Sequence, residues 1–162
     1  MKTAGEKLEA AVMLHNIRSA HNVGSIFRTA DAVGVSTIFL CGLTPSPIDR
    51  FGRLRPDIVK VALGAERTVK WSYEKNSLRT LRTLKKEGFQ IIALEQAVGS
   101  MDYRKIKPAR KFLLIVGNEV SGLPKEILRN ADVITEIPMS GRKESLNVSV
   151  AFGIALFQLT NQ

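Results

Sequence analysis

Residues 113–127 read LLIVGNEVSGLPKEI and contain a complete strand–loop–helix unit. The apolar run that ends at Val116 is typical of a strand that is buried on both faces of a parallel sheet. Gly117 and Gly122 bound a tight loop, and Pro124 stands where it favours a first helical turn. This order of elements predicts an α/β fold in which the loop lies at the carboxyl end of a strand.

The same pattern recurs along the rest of the chain. Short apolar runs predict five strands, at 11–15, 35–41, 89–95, 111–117 and 132–138. Helical patterns predict five helices, at about 23–33, 56–64, 76–87, 124–130 and 145–160. Strands that alternate with helices predict a mainly parallel sheet with helices on both faces. Neither an internal repeat nor a linker interrupts the chain, so we expect residues 1–162 to form a single domain.

Composition excludes several classes of protein. The 162 residues are 44% hydrophobic and 24% charged, as in an ordinary globular protein, and no stretch approaches the roughly 20 apolar residues of a membrane span. The first residues lack the long apolar core of a signal peptide, so we expect a cytoplasmic protein that does not associate with membranes. Cys41 ends an apolar run and is expected to be buried. One cysteine and two histidines lead us to expect no metal site.

The net charge of +9 is concentrated in the middle of the chain. Residues 50–111 contain 16 basic and 6 acidic residues, whereas the segments on either side are nearly balanced. Such a region favours a polyanionic partner, RNA or DNA first, over a basic surface that only keeps the protein soluble. Within it, Arg50, Arg53 and Arg55 lie in a loop and are predicted to bracket a nucleic-acid backbone. An exposed basic loop without a partner is the alternative.

Residues 15–34, HNIRSAHNVGSIFRTADAVG, form the first candidate site. A predicted strand ends there, a polar loop follows, and a helix is predicted to begin near Val23. Gly24 and Arg28 are four residues apart on one helix face, so Arg28 lies one turn beyond a position that has no side chain. We therefore expect a ligand to reach Arg28 over this gap, although a helical arginine is also an ordinary surface residue.

Glu119 lies in the loop quoted first. Leu123 and Pro124 stand where a phosphate-binding loop needs Lys followed by Ser or Thr, which excludes a nucleoside-triphosphatase site of that kind. No GxGxxG motif follows a predicted strand, so a dinucleotide site is not supported either. A carboxylate at the carboxyl end of a parallel strand is nevertheless placed where such sheets bind ligands. Alternatively, Glu119 ties down its own loop by accepting backbone N–H groups.

The third candidate is IPMSGRKESLNVSVAFGIA, residues 137–155, at the start of the last predicted helix. Ser145 and Asn147 are predicted to lie in the first helical turn, where backbone N–H groups are free. Capping requires only one such side chain, so we expect a bound polar ligand or a second structural element here. The helix face beyond this turn is expected to be core or subunit interface.

Taken in order, these three segments resemble the motifs of the SpoU/TrmH family of RNA ribose methyltransferases, within the SPOUT superfamily. Asn22-x-Gly24-x-x-x-Arg28 is similar to the first motif. Residues 117–123, GNEVSGL, are similar to the second motif, and residues 137–151 are similar to the third. The resemblance covers nearly the whole chain. It implies a carboxy-terminal trefoil knot that binds S-adenosylmethionine, and a homodimer with the last helix in the interface.

Carried over by position, the resemblance implies roles for individual residues. It implies a cofactor pocket lined by Leu94, Gly117, Ile137 and Leu146. It implies that Arg28 is the central catalytic residue and that the side chains around it are Asn22, Glu119, Ser145 and Asn147. The implied reaction is methyl transfer to the ribose 2′-hydroxyl of a tRNA or rRNA nucleotide, without a metal. No separate RNA-binding extension is expected, because only ten residues precede the first predicted strand.

Two other functions stay open from the sequence. The nearer one is an RNA base methyltransferase of the same superfamily, although the motif from Asn22 to Arg28 favours the ribose. The other is a non-catalytic RNA-binding module with this fold, against which the presence of the matched polar side chains argues.

Overall fold

The computed structural model describes residues 7–161, and within them seven strands form one sheet. In chain order these are β1 (Glu9–His15), β2 (Thr37–Cys41), β3 (Trp71–Glu74), β4 (Gln90–Leu94), β5 (Met101–Asp102), β6 (Lys111–Val116) and β7 (Val133–Glu136). Their order across the sheet is β3-β2-β1-β6-β4-β7-β5. Neighbouring strands all pair in parallel, which agrees with the predicted fold class.

Six helices lie in the same part of the chain. They are α1 (Ala20–Val33), α2 (Pro56–Ala62), α3 (Ala65–Thr68), α4 (Ser77–Lys86), α5 (Lys125–Asn130) and α6 (Val148–Thr160). A 3-10 turn, Tyr103–Lys105, precedes β6. The five predicted strands and five predicted helices are confirmed, with ends that differ by up to three residues. No helix among residues 7–161 is long and apolar enough to cross a membrane.

Three short elements were not predicted, namely β3, β5 and α3. β3 is a four-residue strand at the edge of the sheet, and its Ser72 and Glu74 interrupt any apolar run. β5 has two residues and α3 has four. Elements this short contain too little periodicity to be identified from a sequence.

Two buried layers cover the sheet, one on each face, as predicted. Side chains alternate along β1, so that Val12 and Leu14 pack under α1, α2 and α6, whereas Ala11 and Met13 pack under α4 and α5. Burial on both faces explains why the central strands are continuous apolar runs. Cys41 is fully buried in the second layer, and this burial raises the pKa of its thiol to about 11.

The end of the chain returns across the carboxyl ends of the central strands. β7 lies beyond β4, on the side away from β6. From β7 the chain passes through residues 137–147 to α6, which packs against α1 and β6. This return segment, residues 137–147, closes a cleft over the strand ends. The knot that the resemblance implies would be formed by this segment.

Candidate active site

A cleft of about 500 Å³ lies at the carboxyl ends of β4, β6 and β7. Open parallel sheets bind their ligands at this position, and the volume is that of a small-molecule site. The described residues that line it come from three segments, 94–96 after β4, 116–122 after β6, and 136–151 around the return segment.

The structure brings together all four residues that were predicted to line a cofactor pocket. Leu94 and Gly117 lie at the ends of β4 and β6, Ile137 follows β7, and Leu146 belongs to the return segment. Gly117 has no room for a side chain, because a Cβ there would lie 2.6 Å from the carbonyl carbon of Gly122. The loop from 117 to 122 therefore folds back so tightly that its backbone borders the cleft.

Acidic side chains make the cleft electronegative, in contrast to the net positive chain. Glu95, Glu119 and Glu136 line it, and none of its described lining residues is a lysine or an arginine. Glu95 is held in place by the backbone N–H groups of Leu123 and Gln96, at 2.8 and 3.0 Å. A cleft of this charge disfavours anionic ligands such as nucleoside phosphates and favours a cationic or neutral one. Residues 7–161 contain no cluster of three or more side chains suited to a metal ion.

Glu119 connects its loop to the start of α1. Its Oε1 accepts hydrogen bonds from Ser19 N at 3.0 Å and from Asn22 Nδ2 at 3.1 Å, and its Oε2 accepts one from Arg18 N at 3.1 Å. Partial burial alone would raise the pKa of Glu119, but these donors and its own backbone N–H hold that pKa below its ordinary value. Glu119 is therefore ionised at neutral pH and well supplied with donors, which makes it a poor proton acceptor. The carboxylate anchors a second segment as well as its own loop.

A second side-chain link joins α1 to the start of α6. Asn147 Nδ2 donates a hydrogen bond to Asn22 Oδ1 at 3.1 Å. Together with the bond between Asn22 and Glu119, this link forms a continuous hydrogen-bonded chain, Glu119–Asn22–Asn147. One residue of each predicted motif belongs to it, although the three are far apart in the sequence. The three motifs therefore meet at one place beside the cleft.

The predicted start of the last helix at Ser145 is wrong. α6 begins at Val148, because Asn147 is its N-cap and accepts hydrogen bonds at Oδ1 from Ser149 N at 2.9 Å and Val150 N at 3.4 Å. Ser145 instead lies in the return segment, where it is exposed and lines the cleft. Of the two partners expected beside this helix start, a bound polar ligand or a second structural element, the structure shows the second, which is α1.

Arg28 lies outside the cleft of its own chain. Its side chain is exposed on α1 and forms no hydrogen bond or ion pair with any residue that the structure describes. The gap expected beside Gly24 does not exist, because a Cβ on Gly24 would lie 2.8 Å from both Ile58 O and Val61 Cβ of α2. The expectation that a ligand reaches Arg28 over Gly24 is therefore wrong. Gly24 serves the close packing of α1 on α2.

The three arginines predicted to bind RNA also lie away from the cleft. Arg50 and Arg53 belong to a short hairpin that follows β2, and Arg55 directly precedes α2. The cleft lies at the same edge of the sheet, because the carboxyl ends of parallel strands point the same way. The arginines therefore follow the same edge of the sheet as the cleft, but none of the three lines it.

Several residues at the cleft were not predicted. Glu95, Gln96 and Glu136 line it, and Gln96 Nε2 donates a hydrogen bond to Glu144 O at 2.7 Å, which fastens the return segment. Glu95 and Gln96 stand at and just after the carboxyl end of a predicted strand, and Glu136 is the last residue of β7. The rule that selected Glu119 would have selected them too.

A half-buried polar chain next to the cleft was also not predicted. His15 Nδ1 and Ser77 Oγ are 2.6 Å apart, and Asn16 Nδ2 donates to His15 Nε2 at 3.2 Å. Because Nε2 accepts from Asn16, the neutral His15 ring that fits this arrangement has its hydrogen on Nδ1 and donates a hydrogen bond to Ser77 Oγ. Burial lowers the pKa of His15. Asn118 Nδ2 donates to Asn16 O at 2.9 Å, so this polar chain contacts the loop that borders the cleft.

Comparison with known proteins identifies the family. The model of the SpoU rRNA Methylase family matches residues 9–157. The chain belongs to this family. The relatives of this SpoU-family chain include the 23S rRNA (guanosine-2′-O-)-methyltransferase RlmB of Neisseria meningitidis serogroup B, which is 34% identical over 151 residues, 93% of this chain and 58% of that protein.

Two further relatives of the SpoU-family chain are informative. The tRNA (guanosine(18)-2′-O)-methyltransferase of Aquifex aeolicus is 33% identical over 151 residues, 93% of this chain and 68% of that protein. The crystal structure of an AdoMet-bound rRNA methyltransferase from Sinorhizobium meliloti has a TM-score of 0.87 at 35% identity, and covers 96% of this chain and 57% of that one. The chain thus spans about 60% of the length of several of its relatives.

Proposed function

We propose that this chain transfers a methyl group from S-adenosylmethionine to the ribose 2′-hydroxyl of a tRNA or rRNA nucleotide. The observation that carries the proposal is the hydrogen-bonded chain Glu119–Asn22–Asn147, which joins the three family motifs beside an electronegative cleft. The relatives named for 2′-O-methylation of 23S rRNA and of tRNA support the same reaction. We place the activity in a single methyltransferase domain in the cytoplasm.

The cleft suits S-adenosylmethionine in both size and charge. Leu94, Ile137 and Leu146 offer apolar surface of the kind that holds a flat ring, and the loop at Gly117 offers backbone groups. The carboxylates that line the cleft suit a sulfonium cation. This cofactor supplies an activated methyl group with a good leaving group already attached, so the proposed reaction needs no metal. We propose that these four residues hold it.

Arg28 is the proposed catalytic residue. Arginine is in general a poor base in proteins. We assign it to bind the phosphate next to the target ribose and to stabilise the alkoxide that develops at the 2′-oxygen. The proton leaves to a phosphate oxygen or to water. In this proposal Asn22, Glu119 and Asn147 position the elements around the reacting atoms, and Ser145 is exposed at the cleft toward the RNA.

A homodimer is part of the proposal. α6 buries one face through Phe152, yet Val150, Ile154 and Phe157 repeat on another face and are 50, 37 and 39% exposed. A helix that is apolar all round is normally covered on every side, and a second copy of the chain is the proposed cover. Because Arg28 does not line its own cleft, we further propose that the dimer brings the partner's Arg28 to each cleft.

Arg28→Ala tests the catalytic assignment. We expect the rate of RNA methylation to fall roughly 100- to 1000-fold, because one donor to a developing oxyanion is removed. The affinity for S-adenosylmethionine, measured by calorimetry, is expected to change little. Equal losses in rate and in cofactor affinity would contradict the assignment.

Mixing two impaired variants tests the dimer, with S-adenosylmethionine kept too dilute to load the Gly117→Ala cleft. Arg28→Ala has an intact cleft, and Gly117→Ala has an intact arginine. If each cleft uses the partner's Arg28, an equal mixture regains about a quarter of wild-type activity, because half of the dimers are mixed and each mixed dimer has one complete site. Both pure variants and an unmixed sum serve as controls. No regain after verified subunit exchange would show that Arg28 acts within its own chain.

A further inference from the structure

A rigid hairpin stands at the same edge of the sheet as the cleft. Residues 48–54 follow β2, and an antiparallel bridge between Ile48 and Leu54 closes them. Asp49 fixes the tip, because its Oδ1 accepts hydrogen bonds from Phe51 N at 2.8 Å and Arg53 N at 3.0 Å while its Oδ2 accepts one from Arg53 Nε at 3.0 Å. The tip therefore has a defined shape before any ligand binds.

Phe51 is displayed on this tip with two arginine side chains over its ring. Phe51 is 66% exposed as a residue. The guanidinium carbons of Arg50 and Arg53 lie 4.7 and 5.0 Å from the ring centroid, within the range of cation–π contacts. Asp49 pairs with Arg53, whereas Arg50 has no acidic partner among the residues that the structure describes. An exposed aromatic ring held in a cationic setting contributes nothing to the core of the protein.

We propose that Arg50, Phe51 and Arg53 form a stacking platform for an unpaired base of the substrate RNA, on a nucleotide that flanks the one at the cleft. The inference rests on the proposed function for the identity of its partner. Unpaired bases stack on aromatic rings and on guanidinium planes, and the adjoining phosphates are attracted to the arginine charges. This combination matches a single RNA strand. The apolar surface of a protein partner would be neither attracted nor repelled by the two arginine charges.

The distance to the cleft is compatible with one RNA strand reaching both places. Only β1 separates β2 from β6 in the sheet. Neighbouring strands are about 4.8 Å apart, so the ends of β2 and β6 are about 10 Å apart. The loop at Gly117 begins directly at the end of β6, whereas residues 42–47 lead from the end of β2 to the hairpin.

Stacking differs from the phosphate contacts that the sequence pattern predicts for these arginines. Phosphate contacts release counterions, so their loss lowers the dependence of RNA affinity on salt. Stacking on Phe51 requires an unpaired base and carries no such salt dependence. The two contacts can therefore be separated in one set of measurements.

The test is the binding of a short single-stranded oligoadenylate that carries one central 2-aminopurine, measured without S-adenosylmethionine. Phe51→Ala is expected to bind roughly 5- to 150-fold more weakly, the cost of losing one stacked base, and to lose the quenching of 2-aminopurine fluorescence. Phe51→Leu, which keeps an apolar side chain, is expected to behave like Phe51→Ala, and Phe51→Trp like the wild type. Leu54→Ala on the same hairpin is the matched control and is expected to bind normally.

Salt titrations complete the design. The slope of log affinity against log salt concentration is expected to be unchanged in Phe51→Ala and to fall by about 0.7 in Arg50→Ala, since one phosphate contact to a single strand is lost. Wild-type affinity in Phe51→Leu would overturn the platform, and so would an equal dependence on Phe51 for a fully paired duplex. These binding results do not depend on methyl transfer. A failure of the proposed function alone would therefore be seen as RNA binding that still requires Phe51, without methylation of the RNA.

Discussion

The substitution Glu119→Gln separates a positioning carboxylate from a catalytic base. The wild-type side chain accepts three hydrogen bonds, two at Oε1 and one at Oε2. Glutamine has the same shape but only one acceptor oxygen. If that oxygen faces Ser19 and Asn22, the amide NH₂ group meets the backbone N–H of Arg18, and the third hydrogen bond is lost.

The expected loss of stability follows from that one bond. A hydrogen bond to a charged group contributes about 1.5–3 kcal/mol. Because the side chain is largely exposed and water replaces part of the interaction, we expect the free energy of unfolding to fall by about 1 kcal/mol. For a protein of this size, the Tm should fall by about 2–4 °C.

The pH dependence of this loss has a definite sign. The pKa of Glu119 is lowered on folding from its ordinary value of 4.5. The carboxylate therefore stabilises the fold fully above that value, and its contribution is lost as the pH falls through the folded-state pKa. Wild type and Glu119→Gln should differ at neutral pH and converge in acid.

Two assays decide the matter, thermal unfolding at neutral and acid pH and the pH profile of methyl transfer. We expect Glu119→Gln to methylate more slowly with a pH profile of unchanged shape, because no proton is passed to Glu119. Glu119→Asp, which keeps the charge, controls for the loss of geometry alone. An unchanged Tm together with the disappearance of the acidic limb of the pH profile would refute this reasoning, since it would make Glu119 a general base.

Three other substitutions test separate parts of the structure. Burial lowers the folded-state pKa of His15, so the unfolded chain takes up the proton first and the wild type should lose stability as the pH falls below 6.5, the ordinary pKa of histidine. His15→Gln should show a smaller loss of stability over the same range. Denaturant unfolding from about pH 5 to pH 8 measures the difference. Gly117→Ala should weaken S-adenosylmethionine binding by about tenfold or more in calorimetry, because the new Cβ displaces backbone that borders the cleft. The control Gly141→Ala should bind the cofactor normally, because a Cβ at that position meets nothing within 4 Å. Phe157→Glu should convert a dimer into monomers in light scattering, since it places a charge in the proposed interface; an unchanged mass would argue against that interface.

The fold was predictable because its strands are buried on both faces. The apolar run that ends at Val116 can be assigned to a strand from the sequence alone. The rule that parallel sheets bind ligands at the carboxyl ends of their strands then selects Glu119. β3 was not predictable, because a short edge strand with polar side chains has neither an apolar run nor a clear alternation. The assignment of roles at the site came from the family resemblance and not from spacing.

The details that the sequence did not reveal depend on contacts between distant residues. Gly24 leaves a gap on an isolated helix, and only the packing of α2 shows that the gap is filled. Ser145 and Asn147 are both acceptable N-caps by type. Asn147 is the cap in the structure, and its amide also bonds to Asn22, which is 125 residues away in the chain. Neither contact leaves a local signal in the sequence.

Identification of the methylated nucleoside would test the proposed reaction most directly. Wild-type protein and Arg28→Ala are incubated with labelled S-adenosylmethionine and unmodified total tRNA or rRNA, and the RNA is digested to nucleosides that are separated by chromatography. We predict label in a 2′-O-methylnucleoside with the wild type and almost none with Arg28→Ala. Label in a base-methylated nucleoside would contradict the proposed reaction. So would the absence of label from both RNAs when the protein is shown to bind the cofactor.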